Sequence, residues 1–150
     1  MANMASKVRF PVDGLSFLQL ESDAVLATGA GAIPSTQVIS LDALASYWDA
    51  GELAFNQQVA IAVDVTTAVT GGGETYTYAI QTDSELAFGD APVIITQVTH
   101  NAVGEFALAF TREMVLELDP DATHVRLLVT QVGAAAAATY NARIVPFPGN

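Results

Sequence analysis

A chain of 150 residues suits one domain. At that size folding hides roughly 70% of the unfolded chain's surface, so a core forms without disulfides. Cysteine is absent, which excludes a disulfide framework and a thiolate metal site, and sixteen acidic residues against five basic ones (Lys7, Arg9, Arg112, Arg126, Arg143) give a net charge of −11. That balance excludes nucleic-acid binding by phosphate neutralisation and argues against an anionic membrane surface.

The opening MANMASKVRFPVDG lacks the apolar run of a signal peptide, and the reading is of a soluble, unsecreted protein. Through residue 35, isolated apolar side chains (Phe10, Leu15, Phe17, Leu18) mix with Gly, Pro and Ser without sustained period. Residues 1–19 are therefore read as an extended arm and 20–150 as a single domain; the arm is either a frayed end or a segment that orders against a partner, the second favoured by its apolar content. Mean hydropathy is +0.39. Ala24 to Leu41 carries no charge, but Thr28, Gly29, Gly31, Pro34, Ser35 and Gln37 exclude a membrane span there. Leu41 to Ala50 is the one helical turn expected, ended by Gly51.

From there the period is two. Val59, Ile61, Val63 and Val65 share one face of a strand; Tyr76, Tyr78 and Ile80 share one face of the next. The pattern returns at Phe106, Leu108 and Phe110, at Met114, Leu116 and Leu118, at Val125, Leu127 and Val129, and at Tyr140, Ala142 and Ile144. Turn signals at Thr70–Gly73, His100–Gly104 and Asp119–Asp121 separate these runs, and Gly133–Ala138 is expected to be a hairpin tip. Short strands at this spacing predict an all-β, jelly-roll-like antiparallel sandwich.

Chemistry is sought in each suggestive cluster. Gly14-Leu-Ser16-Phe-Leu18 begins like a nucleophile elbow but lacks the second Gly; Gly29-Ala-Gly31 begins like a dinucleotide loop but meets Pro34. His100 and His124 have no partner at a recognisable spacing and read as surface or edge-strand histidines. Asp83, Glu85 and Asp90, and Glu113, Glu117, Asp119 and Asp121, lack calcium-loop spacing; the second group reads as a solvated strand face ending in a tight turn. No catalytic residue, cofactor or metal site is expected. Tyr47 and Trp48 either stack on a sugar, anchor an interface or cap the core.

The order of segments then matters. LESDAVLATGAGAIPSTQVISLD precedes GELAFNQQVAIAVDVT, followed by YAIQTDSELAFGDAP, REMVLELDPDATHVRLLVTQVG and ATYNARIVPF. From Leu20 to Phe147 this resembles the capsid cement (decoration) proteins of tailed phages, most closely in the strand that runs into a Gln-Thr-Asp loop with Ala-Phe and in the strand RLLVT. Residues 1–19 and Asp42 to Asp49 look like additions. The resemblance carries no catalytic residues. It implies a virion protein, made in the host cytoplasm, that oligomerises on the outside of an icosahedral shell and clamps neighbouring copies of the major capsid protein. A dimer is favoured on that analogy, with a trimer possible. An oligomer gripping two capsomers resists seam strain through several modest contacts at once. Candidate contact residues are Phe10, Phe17, Leu18, Tyr47, Trp48 and Phe88, with Phe88 either packing back onto the sandwich or inserting into a capsid groove. A carbohydrate-binding sandwich or receptor-binding component is the alternative, and an enzyme is not expected.

Overall fold

The computed structural model describes residues 19–29, 31–48 and 58–147. Among the described residues nine strands run β1 (Gln19–Val25), β2 (Ala32–Pro34), β3 (Ile39–Ser40), β4 (Gln58–Ala68), β5 (Thr75–Asp83), β6 (Val93–Thr99), β7 (Gly104–Phe110), β8 (His124–Val132) and β9 (Ala138–Phe147). Helix α1 (Leu41–Trp48) follows β3, and α2 (Arg112–Leu118) lies between β7 and β8.

One sheet has the order β1-β9-β4-β7, the other β2-β8-β5-β6, with β3 also on β8. All the pairings are antiparallel. β2 and β3 lie end to end along β8, and Ser35 bridges the break between them. Its N–H donates to the Leu127 carbonyl at 2.7 Å, and its Oγ accepts from the Leu127 N–H at 3.1 Å. The chain is thus a doubled ribbon, pairing β1 with β9, β2 and β3 with β8, β4 with β7, and β5 with β6. Rolling that ribbon brings β9 beside β4 and β8 beside β5, which is the jelly-roll arrangement expected from the pattern. The ribbon doubles back at the β5–β6 loop.

The period-two residues fill the space between the sheets. Val59, Ile61, Val63 and Val65 face Tyr76, Tyr78, Ile80, Val125, Leu127 and Val129, all essentially inaccessible. Tyr78 packs edge-on against Phe106 and Tyr140, with centroids 4.9 and 6.0 Å apart. Burial, then neighbouring Tyr76, pushes the Tyr78 phenol up to about 12; burial, then Glu21, then Tyr78 raise Tyr140 further. Both phenols are held neutral in the folded state, whereas the unfolded chain ionises near pH 10. Their contribution to stability is therefore complete below pH 10 and is lost as pH rises from 10 through about 12. Absorbance at 295 nm followed with circular dichroism should show these two tyrosines ionising only as the β signal collapses.

Four local expectations are corrected. Met114, Leu116 and Leu118 do not alternate along a strand: residues 112–118 are α2. Thr111 caps it, its Oγ1 accepting from the Met114 N–H at 3.1 Å, and Val115 is the residue it buries. A seven-residue run with apolar residues at 114, 115, 116 and 118 satisfies either period, and the cap decides. The expected single helical turn, Leu41 to Ala50, is joined by this second helix. Gly133–Ala138 is not a hairpin tip, because β8 and β9 belong to different sheets; the segment arches across the sandwich. The aperiodic stretch before residue 35 contains β1 and β2. β1 was hidden by two register shifts, with Asp23 at φ 50°, which break the alternation. Pro34 is tolerated because β2 is an edge strand.

At the arch, Gly133 sits at φ +121°, and a Cβ there would meet Glu74 Cγ at 3.1 Å. Gly133→Ala is expected to cost about 1–3 kcal/mol, from backbone strain and the contact together. Urea unfolding should show a lower midpoint with an unchanged slope.

Candidate functional site

The sandwich has two unlike poles. One gathers the crossovers 69–74, 100–103 and 133–137, together with the turn 26–29. The other carries the β5–β6 loop, α2 with its connector 119–123, and the start of α1. Register places these together: Asp83 pairs with His124, and Ser40 pairs with His124 from the other side. The Leu41 N–H donates to the Thr123 carbonyl at 2.9 Å.

The β5–β6 loop is built around the carboxylate of Asp83, which is 1% exposed. Its Oδ1 accepts from the Ser84 N–H at 2.6 Å and its Oδ2 from the Asp90 N–H at 3.0 Å, so one side chain ties both ends of the loop. The Ser84 hydroxyl donates to Asp90 Oδ2 at 3.0 Å. The connector braces the loop from outside: the Thr123 N–H donates to the Asp83 carbonyl at 2.9 Å, and its hydroxyl to the Ser84 carbonyl at 2.8 Å. The Thr82 hydroxyl donates to Asp119 Oδ2 at 2.8 Å, tying the end of α2 to β5.

Phe88 turns inward and is 6% exposed. The Arg126 guanidinium lies over its ring at 4.0 Å, and Arg126 Nε donates to Gln81 Oε1 at 2.7 Å. Burial lowers the pKa of Arg126, and the Asp83 carboxylate nearby opposes that. Phe88 and Ala91 both hold positive φ, at 55° and 54°. Two non-glycine residues in the left-handed region within four positions mark a loop held in one shape. What it offers outward is Leu86, 64% exposed, between exposed Glu85 and Asp90.

Of the residues singled out from sequence, Phe88 therefore packs back onto the sandwich. Tyr47 and Trp48 lie in the last turn of α1, which leaves from the same pole, but their side chains are outside the described set, as are Phe10, Phe17 and Leu18. Asp83 is not a wet carboxylate of an edge loop but the loop's internal tie. His124 begins a central strand, its Nδ1 2.7 Å from the Thr123 hydroxyl. His100 stacks on Phe106 at 4.5 Å, at the other pole. His124 thus stands on a central strand and not an edge strand, and both histidines are half-buried. Among the described residues no three His, Asp or Glu side chains gather as a metal site. No described helix is long and apolar enough to cross a membrane.

Sequence reading missed a groove of about 470 Å³ on the outer face of the β1-β9-β4-β7 sheet. Register explains it: Ala62 stands beside Ala107 and Arg143, while Asp64 stands beside Glu105 and Asn141. Small side chains form the floor and a polar row forms one wall. The signal was the outward set of each strand, alanine where neighbours carry charge. No protein-family model matches the chain, and no curated protein matches it.

Proposed function

We propose that this is a structural virion protein that binds the outside of an icosahedral phage capsid and clamps adjacent major capsid protein subunits. On this reading it is not an enzyme; it is made in the host cytoplasm and works as a homo-oligomer on the shell. The observation that carries the proposal is the β5–β6 loop. The segment YAIQTDSELAFGDAP, on which the resemblance to cement proteins rests most heavily, runs from the end of β5 into a loop pinned by a buried carboxylate and backbone bonds. A preorganised loop loses little entropy on binding, and one apolar residue between carboxylates suits a groove rimmed by basic side chains. Several such loops on one oligomer add by avidity.

The groove beside Asp64, Glu105, Asn141 and Arg143 favours a second reading, a carbohydrate-binding or receptor-binding component, because it sets acceptors and donors around a shallow floor. Copy number separates the two. Quantitative mass spectrometry of purified particles should give this chain in a ratio of order one to the major capsid protein. A handful of copies per particle would move the protein to a vertex or tail and favour the second reading.

A further inference from the structure

Sheet edges carry unpaired backbone groups, and soluble proteins blunt them with charge, proline, bulges or interruption. Among the described residues, three of the four edges do so. β1 carries Glu21 and Asp23 and two register shifts. The β2–β3 edge is broken and holds Pro34. β7 carries Glu105. The fourth, β6, has neither charge nor proline: VIITQVT runs seven residues, and six of them, all but Gln97, are β-branched. Among the described residues it pairs on one side only, with β5, and its single irregularity is the shift opposite Ile80 and Gln81.

Its surroundings are apolar as well. Ile94 is 39% and Val98 37% exposed on the strand itself; Leu116 and Leu118 are exposed on α2, which packs against β6. Gln97 and Thr99 are exposed, and Thr99 meets Thr77 at 3.2 Å on the outer face. The charges nearest in sequence are Asp90 before the strand and Glu105 after it, and α2 carries Arg112, Glu113 and Glu117.

We propose that β6 is the seam of a twofold dimer, in which β6 of one copy pairs antiparallel with β6 of a second and the two sheets become one. Charge selects the occupant. A basic partner would be met through the acidic surface that dominates a chain of net charge −11, whereas a second, equally acidic copy can approach only where charge is missing. A strand pairing with itself about a twofold axis is also self-complementary by construction, donor to acceptor. The inference supplies the self-contact that the virion reading needs but rests on the edge, not on the capsid.

The test uses the full chain without any capsid, so its outcome is independent of shell binding. Sedimentation of the wild type should give twice 15.6 kDa. Gln97 and Thr99 are solvent-facing, so neither the double variant Q97E/T99E nor Q97K/T99K should alter the fold, which circular dichroism checks. Each variant alone should sediment as a monomer, with its dissociation constant raised at least about 100-fold by like charge across the seam. Mixing the two should restore the dimer, and the β6 amides should regain protection from hydrogen exchange. A monomeric wild type at about 100 μM, variants that remain dimeric, or a mixture that stays monomeric would each overturn the proposal.

Discussion

Tyr76→Phe should destabilise the protein by about 2–4 kcal/mol although it removes one oxygen atom. The Tyr76 hydroxyl donates toward the Val69 carbonyl at 2.7 Å and lies 3.0 Å from the Ala137 carbonyl, and it accepts from the Ala137 N–H at 3.0 Å. These groups belong to two different crossovers, β4 to β5 and β8 to β9. The backbone of the same residue holds a third: the His100 N–H donates to the Tyr76 carbonyl at 3.0 Å, and Asn101 Oδ1 accepts from the Tyr76 N–H at 2.9 Å. Phenylalanine keeps the packing and leaves buried backbone groups without their partner. Each such group costs about 1–3 kcal/mol, partly recovered because Val69 N–H still reaches the Ala137 carbonyl at 2.9 Å. Thermal unfolding should show Tm lower by roughly 5–12 °C. Hydrogen exchange should rise first at residues 69–74 and 133–137. A Tm within 1 °C of wild type would mean the latch carries no weight.

Phe88→Ala should cost a similar amount, about 3–4 kcal/mol, at the opposite pole. The ring is nearly inaccessible, and its removal leaves a cavity beneath Arg126 and ends the stacking of that guanidinium. Arg126 keeps its bond to Gln81, so its charge stays anchored on the sheet. The variant should lose stability and, in proportion, shell binding. The exposed partner gives the contrast: Leu86→Ala should leave Tm within about 1 °C and weaken binding on its own. If Phe88→Ala weakened binding with Tm unchanged, the ring would be a contact and not a support.

The same two residues show what the sequence made legible. Tyr76 begins a plain alternation, so its strand, its buried face and the sandwich followed from period alone. Its role as a latch did not, because it depends on carbonyls seven and sixty-one residues away that only the rolled ribbon brings near. Phe88 stood out as the one aromatic residue in an acidic loop, and its inward packing was one of two readings; what decided it was Arg126, a neighbour through β8 that no local pattern announces. β1 was illegible because bulges erase the alternation that reveals strands, and α2 because its apolar residues fit both periods over two turns. The groove escaped because outward alanines carry no signal until register lines them up.

The unequal poles have a practical consequence for carrying a payload. β5 spans its nine residues from one pole to the other, about 30 Å at the rise of an extended strand. β1 begins at Gln19 and β9 ends at Phe147, both on the pole of the acidic loop. Gly71 and Gly73, at φ +105° and +85°, lie at the other pole with open space around them. A peptide grafted between them would project away from the loop, leaving clear the end that the proposed shell contact would use.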